Sequence, residues 1–153
     1  LPLLKKKQNI SKETKTTMYR SKRGINEVYS KLINLNGQGV LSFGGSKYTT
    51  DFMGIEWWKQ MYMKRIHNQM SQRHIASDET LPYIGPFMRM RVTKIRFLPK
   101  ETFGQYQETA IAGDYVAITI FADEGYSILI HNKEIANGYR KNFELLWKIA
   151  KNK

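Results

Sequence analysis

With 153 residues, 41% of them hydrophobic, and no cysteine, the chain can bury one core of ordinary size but cannot build a disulfide framework or a thiolate metal site. Twenty-five Lys and Arg against 13 Asp and Glu leave a formal charge of +12, which suits nucleic acid, an anionic surface or an acidic ligand. No run approaches the roughly 20 apolar residues that cross a bilayer, so a soluble, cytoplasmic, single-domain protein without membrane contact is expected.

Residues 1–16 are polar and basic and read as a linker or the end of a preceding helix, with the domain proper over 17–153. The chain starts at Leu1 rather than Met, and a basic stretch follows Leu3-Leu4 where a signal peptide has its apolar centre. It therefore reads as a piece of something longer. The basic clusters, Lys5 to Arg23 at one end and Lys141 to Lys153 at the other, read first as solvated faces and second as phosphate contacts.

Thr17-Met18-Tyr19 reads as a short edge strand, and Gly24 precedes a helix whose apolar positions Ile25, Val28, Tyr29, Leu32 and Ile33 keep helical spacing up to Asn36-Gly37. Val40-Leu41-Ser42-Phe43 reads as a buried strand that opens onto Gly44-Gly45-Ser46. One long helix is expected from about Asp51 to Met70, with Phe52, Ile55, Trp58, Tyr62 and Ile66 on its apolar face. Gln72 to Ala76 reads as a strand, Ser77 to Pro86 as a loop, Thr93 to Leu98 as a strand, and Gln105 to Ala112 as another that turns at Gly113-Asp114.

The last third is the most regular. Strands over Asp114 to Phe121 and Tyr126 to Ile130 flank the polar turn Ala122-Asp123-Glu124-Gly125 and form a hairpin. A helix from Lys133 to Lys151 follows, with Ile135, Tyr139, Phe143, Leu146, Trp147 and Ala150 along one side and Asn132 as its N-cap. Helices alternating with strands in the first half and a meander in the second give an α/β fold with α+β character, a mixed sheet flanked by helices.

Few residues suggest chemistry. Gly44-Gly45-Ser46 after a strand presents backbone N–H groups to a ligand or is a plain tight turn, and it fits neither a phosphate loop nor a dinucleotide fingerprint. His67, His74 and His131 share no metal-ligand spacing, so neither a metal nor another cofactor is expected. Trp57, Trp58 and Tyr62 line a pocket for a flat ligand or belong to the core. The octet from Gln107 to Asp114 occupies the frame His-x-Lys-x-x-x-x-Asp of the phospholipase D motif, with Gln107 for the nucleophilic His, Thr109 for the phosphate-holding Lys, and only Asp114 kept. Phosphoryl transfer through a covalent histidine needs both the imidazole and the cation. Taken alone, Gly113-Asp114 is simply a turn.

Leu1-Pro2-x-Leu4, the segment Tyr19 to Tyr29, Phe43-Gly44-Gly45, Lys64-Arg65-Ile66, Ile95-Arg96-Phe97-Leu98-Pro99 and Tyr139-Arg140-x-x-Phe143-x-x-Leu146-Trp147 occur in this order over nearly the whole chain. In that order they resemble TrmB-like transcriptional regulators. The resemblance implies the effector half of such a regulator, with a degenerate phospholipase D-like fold and with its winged helix-turn-helix domain absent from this sequence. It further implies a non-catalytic module that senses a small-molecule effector, a sugar or an anionic metabolite, forms a homodimer, and reaches DNA through the missing N-terminal domain. The ligand candidates on that reading are Gly44, Gly45, Ser46, Tyr48, Trp58, Gln107, Thr109 and Asp114. Two alternatives stay open at this point: a phospholipase D-type phosphodiesterase or nuclease, and a basic nucleic-acid-binding domain.

Overall fold

Period-two runs of β-branched, aromatic and small residues build the sheet. The computed structural model describes residues 14–35 and 39–153, and within them seven strands join in the order β1-β7-β6-β5-β2-β3-β4. The strands are β1 (Lys15–Arg20), β2 (Val40–Gly44), β3 (Gln72–Ser77), β4 (Thr93–Leu98), β5 (Gln107–Ala112), β6 (Tyr115–Ile120) and β7 (Tyr126–His131). Strand β2 runs parallel to β3, and β3 to β4. Strand β2 also pairs antiparallel with β5, and from there the sheet continues antiparallel through β6 and β7 to β1. The sheet is mixed, as expected, with β2 at the junction of its two halves.

The described helices are α1 (Ser21–Leu32), α2 (Lys47–Met53), α3 (Ile55–His67), α4 (Leu81–Met88) and α5 (Lys133–Ile149). Helices α1, α3 and α4 cover one face of the sheet. There Ile25, Tyr29, Trp58, Met61, Tyr62 and Phe87 meet Ala76, Ile95 and Phe97, while Val28 and Leu32 meet Ala110, Ala117 and Leu129. Helix α5 covers the other face, placing Ala136, Phe143, Trp147 and Ala150 against Ile75, Ile111 and Val116. No helix among the described residues is long and apolar enough to cross a membrane.

The seam under α5 forms as its spacing predicts. Asn132 accepts from the Ile135 N–H through Oδ1 at 2.8 Å, closing the N-terminus. Arg73 of β3 lies over the Phe143 and Trp147 rings at 5.1 and 5.3 Å and pairs bidentately with Glu144, while Arg96 of β4 stacks over Trp147 at 4.3 Å. The Arg73 guanidinium holds the Glu144 carboxyl below the usual carboxylate range. Because Glu144 is half exposed, water screens that pair. At the end of α5, Lys151 exchanges two backbone hydrogen bonds with Phe97 of the edge strand β4, at 2.8 and 2.9 Å.

Three local readings are corrected. Strand β1 begins at Lys15 and spans six residues, so the sheet includes the last two residues of the segment read as a linker. The helix expected over 51–70 is two helices, because Gly54 sits at φ +90 between α2 and α3, a conformation that L side chains rarely adopt. The loop expected over 77–86 holds a 3-10 turn, Asp78–Thr80, and then α4. Its Pro82 lies in the first turn, where no N–H is needed, whereas Pro86 is internal and forgoes the i to i−4 hydrogen bond to the Pro82 carbonyl. Asn36-Gly37 and Leu1-Pro2-x-Leu4 lie outside the described residues.

Replacing Phe143, which is fully buried, by Ala should cost about 3–5 kcal/mol through lost burial and a residual cavity. Urea unfolding measures it, and a loss below about 1 kcal/mol would mean that α5 is not anchored by this ring.

Candidate ligand cleft

At the end of β2 the chain leaves the sheet between a parallel and an antiparallel neighbour. A crevice outside the strand ends at such a switch point is where open α/β sheets place ligands. Here the turn is made by Gly44 at φ +103 and Gly45 at φ +85, with the Gly45 N–H donating to the Gln107 carbonyl at 2.9 Å. A Cβ on Gly44 would stand 2.7 Å from the Gln107 carbonyl oxygen, and one on Gly45 would stand 3.0 Å from Thr49 Oγ1 and 3.4 Å from Glu108 Oε2. Both positions require the bare backbone, and the space they leave opens a cleft of about 480 Å³, counted with its open mouth.

Five elements besides the turn wall the cleft: α2 with Thr49 and Thr50, α3 with Ile55, Trp58 and Tyr62, α4 with Tyr83, Ile84 and Phe87, and the strands β3 and β5 with His74 and Glu108. Strand parity explains the floor. Ser42 lies opposite His74 and Ala110, and Gly44 lies opposite Glu108, so these residues share the face toward α3. The Tyr29 hydroxyl of α1 donates to Glu108 Oε1 at 2.9 Å. Gln72 Nε2 donates to Ser42 Oγ at 2.8 Å, and Ser42 Oγ lies 2.8 Å from His74 Nδ1. With Ser42 accepting from Gln72 and donating to Nδ1, the proton of neutral His74 stands on Nε2.

The sequence matches no protein-family model and no curated protein. Solved structures do match it. NucT from Helicobacter pylori superposes with a TM-score of 0.72 at 13% identity, covering 92% of this chain and 100% of that one. Nuc from Salmonella typhimurium, a phospholipase D family member, gives 0.68 at 9% identity, covering 92% and 99%. The fold is phospholipase D-like. TrmBL2, an archaeal chromatin protein, gives 0.65 at 11% identity, with 89% of this chain covered but only 53% of that one, so the chain spans about half the length of TrmBL2.

Within this phospholipase D-like sheet the expected ligand residues separate into two groups. Gly44, Gly45, Ser46 and Trp58 line the cleft together. The Ser46 hydroxyl is committed locally, since it accepts from the Tyr48 N–H at 3.1 Å and donates to the Gln105 carbonyl as the cap of α2. Trp58 is both wall and core: its indole N–H donates to the Thr49 carbonyl at 3.1 Å, and its ring packs on Tyr29 and Trp57. Tyr48 does not line the cleft and lays its ring near Tyr106, with centroids 5.2 Å apart.

Gln107, Thr109 and Asp114 do not line it either. Gln107 is exposed, Thr109 is buried beside Phe43 and Ile118 on the α5 face, and Asp114 is exposed at the far end of β5. Asp114 follows Glu108 by six positions, roughly 20 Å of extended strand. The frame read along the octet is therefore out of phase with the cleft, and the octet residue that reaches the floor is Glu108. Parity carried the signal: Glu108 alternates with Ala110 and Ala112, the inward face of β5. His74, between Gln72 and Ala76 on a buried strand, carried the same one.

Burial sets the charge of the floor. It pushes the Glu108 carboxyl up to about 7, partly opposed by the Tyr29 hydrogen bond, and it pulls the His74 imidazole down to about 4, partly opposed by hydrogen bonding to Ser42. Tyr29 and Tyr62 are raised above the ordinary tyrosine value, mainly by burial and then by the Glu108 charge. Among the described residues no Lys or Arg lines the cleft. Arg65, buried nearby, spends its guanidinium on the Met70 and Val92 carbonyls and the Thr93 hydroxyl.

These two groups act on stability with opposite signs. From about pH 4.5 to 7 the unfolded chain has released a Glu108 proton that the folded chain retains, so this group makes stability fall as pH rises. From about pH 4 to 6.5 the unfolded chain binds a His74 proton that the folded chain lacks, so this group makes stability rise. The Glu108 swing amounts to about 3 kcal/mol. Measured by urea unfolding against pH, Glu108→Gln should gain stability relative to the wild type as pH rises from 4.5 to 7, and His74→Gln should lose it from 4 to 6.5. Profiles parallel to the wild type would show that the floor does not titrate in this way.

Proposed function

We propose that this chain is the non-catalytic, effector-sensing and dimerising domain of a DNA-binding transcriptional regulator. The observation that carries the reading is the cleft lining, which among the described residues holds glycines, hydroxyls, aromatic rings, one carboxyl and one neutral imidazole, but no Lys or Arg. Phosphoryl transfer from a diester builds negative charge on oxygens that a cation or a set of aimed donors must stabilise, so a lining without cations favours binding over turnover. Two further facts support the regulatory side: TrmBL2, whose fold is similar, binds DNA, and the chain carries a charge of +12. A ligand seated against α3 and α4 would alter how these helices lie on the sheet. In a dimer that change would shift the spacing of attached DNA-binding domains, which read half-sites about one helical turn apart.

One observation favours a second reading, that of a phospholipase D-type nuclease: NucT and Nuc are matched over 100% and 99% of their lengths. His74 is the imidazole such an enzyme would have to use in this cleft, and it has no cation beside it. A third reading, a basic nucleic-acid-binding domain, predicts DNA binding by these residues alone that weakens steeply with salt.

Bis(p-nitrophenyl) phosphate should not be hydrolysed by the purified chain, while an effector at about a hundredfold its Kd should stabilise it by about 2.7 kcal/mol. Turnover lost in His74→Ala would replace the sensing reading by the nuclease one. Gly45→Ala should weaken effector binding at least tenfold, because the added methyl group stands against Glu108 Oε2 and the backbone there is strained.

A further inference from the structure

The sensing reading leaves the chemistry of the ligand open, and the cleft narrows it. Glu108 is 7% exposed, and its Oε1 is taken by the Tyr29 hydroxyl. Its Oε2 faces the bare Gly45 backbone, and none of the ion pairs among the described residues includes this carboxyl. The titratable groups around it are Tyr29 from α1, Tyr62 and Arg65 from α3 and His74 from β3; the tyrosines and the imidazole are neutral near pH 7, and Arg65 directs its guanidinium to the Met70 and Val92 carbonyls and the Thr93 hydroxyl. A buried carboxyl without an ion-pair partner is a costly arrangement for folding alone. It becomes favourable when an ion of opposite sign completes it.

We infer that the cleft takes a small organic amine in its ammonium form, with the N–H donors on Glu108 Oε2 and the carbon chain against Trp58, Tyr62, Tyr83 and Phe87. The rings fit the part in two ways: their faces attract a cation, and their edges accept methylene groups. An anionic metabolite is disfavoured, since it would meet a carboxyl and no cation. This inference rests on the sensing reading and replaces its sugar or anionic effector with a cationic one. Binding should tighten as pH rises through neutrality, because the ammonium ion stabilises the ionised carboxylate.

The test uses n-butylammonium chloride as probe, with n-butanol and sodium butyrate as neutral and anionic matches of equal chain length, on the whole chain at pH 7.5. Expected are a melting-temperature rise of a few degrees with butylammonium alone, its loss in Glu108→Gln, and a movement of the Trp58 indole N–H resonance in the unmodified chain that n-butanol does not reproduce. The indole signal keeps the test decisive if the variant fails to fold. Equal shifts with all three probes, or no shift with butylammonium, overturn the inference. Stabilisation by glucose that survives Glu108→Gln also overturns it but leaves sensing intact, whereas phosphodiester turnover overturns the sensing reading itself.

Discussion

The fold turns on the double pairing of β2. One strand cannot lie parallel to β3 and antiparallel to β5 without separating the chain segments that continue from each, and the separation occurs where β2 ends at Gly44. Two consecutive glycines with positive φ take the chain out of the sheet while the Gly45 N–H still holds the start of β5. Everything that walls the cleft is reached from that exit: α2 is capped by Ser46, α3 follows after Gly54, and α4 closes the side beyond β3. The same geometry that resolves a conflict of strand direction therefore opens the cavity.

Beneath the cavity lies a polar floor inside an otherwise apolar layer. Tyr29 on Glu108, and Gln72 through Ser42 on His74, satisfy the buried groups in hydrogen bonds while leaving the floor without a compensating charge. Cations are plentiful in this chain, yet the buried one, Arg65, is turned toward carbonyls at the start of β3 and β4. The chain's net charge of +12 thus contrasts with a cleft whose described lining holds no cation.

The sequence was most legible where one local rule acted alone. Alternation in β5 to β7, the polar turn before Gly125 and the stripe of Phe143 and Trp147 behind the Asn132 cap all report their structure through neighbours in sequence. It was least legible where tertiary contacts outweigh local punctuation. Pro82 and Pro86 read as loop residues until Phe87 packs on Tyr62 and makes a short helix worthwhile. The site was half visible: Gly44, Gly45, Ser46 and Trp58 announce themselves by type, whereas Glu108 and His74 matter because two strands distant in sequence turn the same face to one cavity. The motif frame laid along β5 selects Gln107 and Thr109, whereas the alternation of the strand selects the residue between them.

The pairing of Lys151 with Phe97 has a consequence for the sheet as a whole. A β-sheet has two margins, and each is a template on which a foreign strand can crystallise. The β4 margin is interrupted by the chain's own C-terminal backbone. The β1 margin is flanked by Lys15 and Arg20, whose like charges repel a copy of the same strand. Extension of the sheet is thus hindered by a local backbone pairing at Phe97 on one side and by like charge on the other, and salt or an acidic strand lowers only the second hindrance.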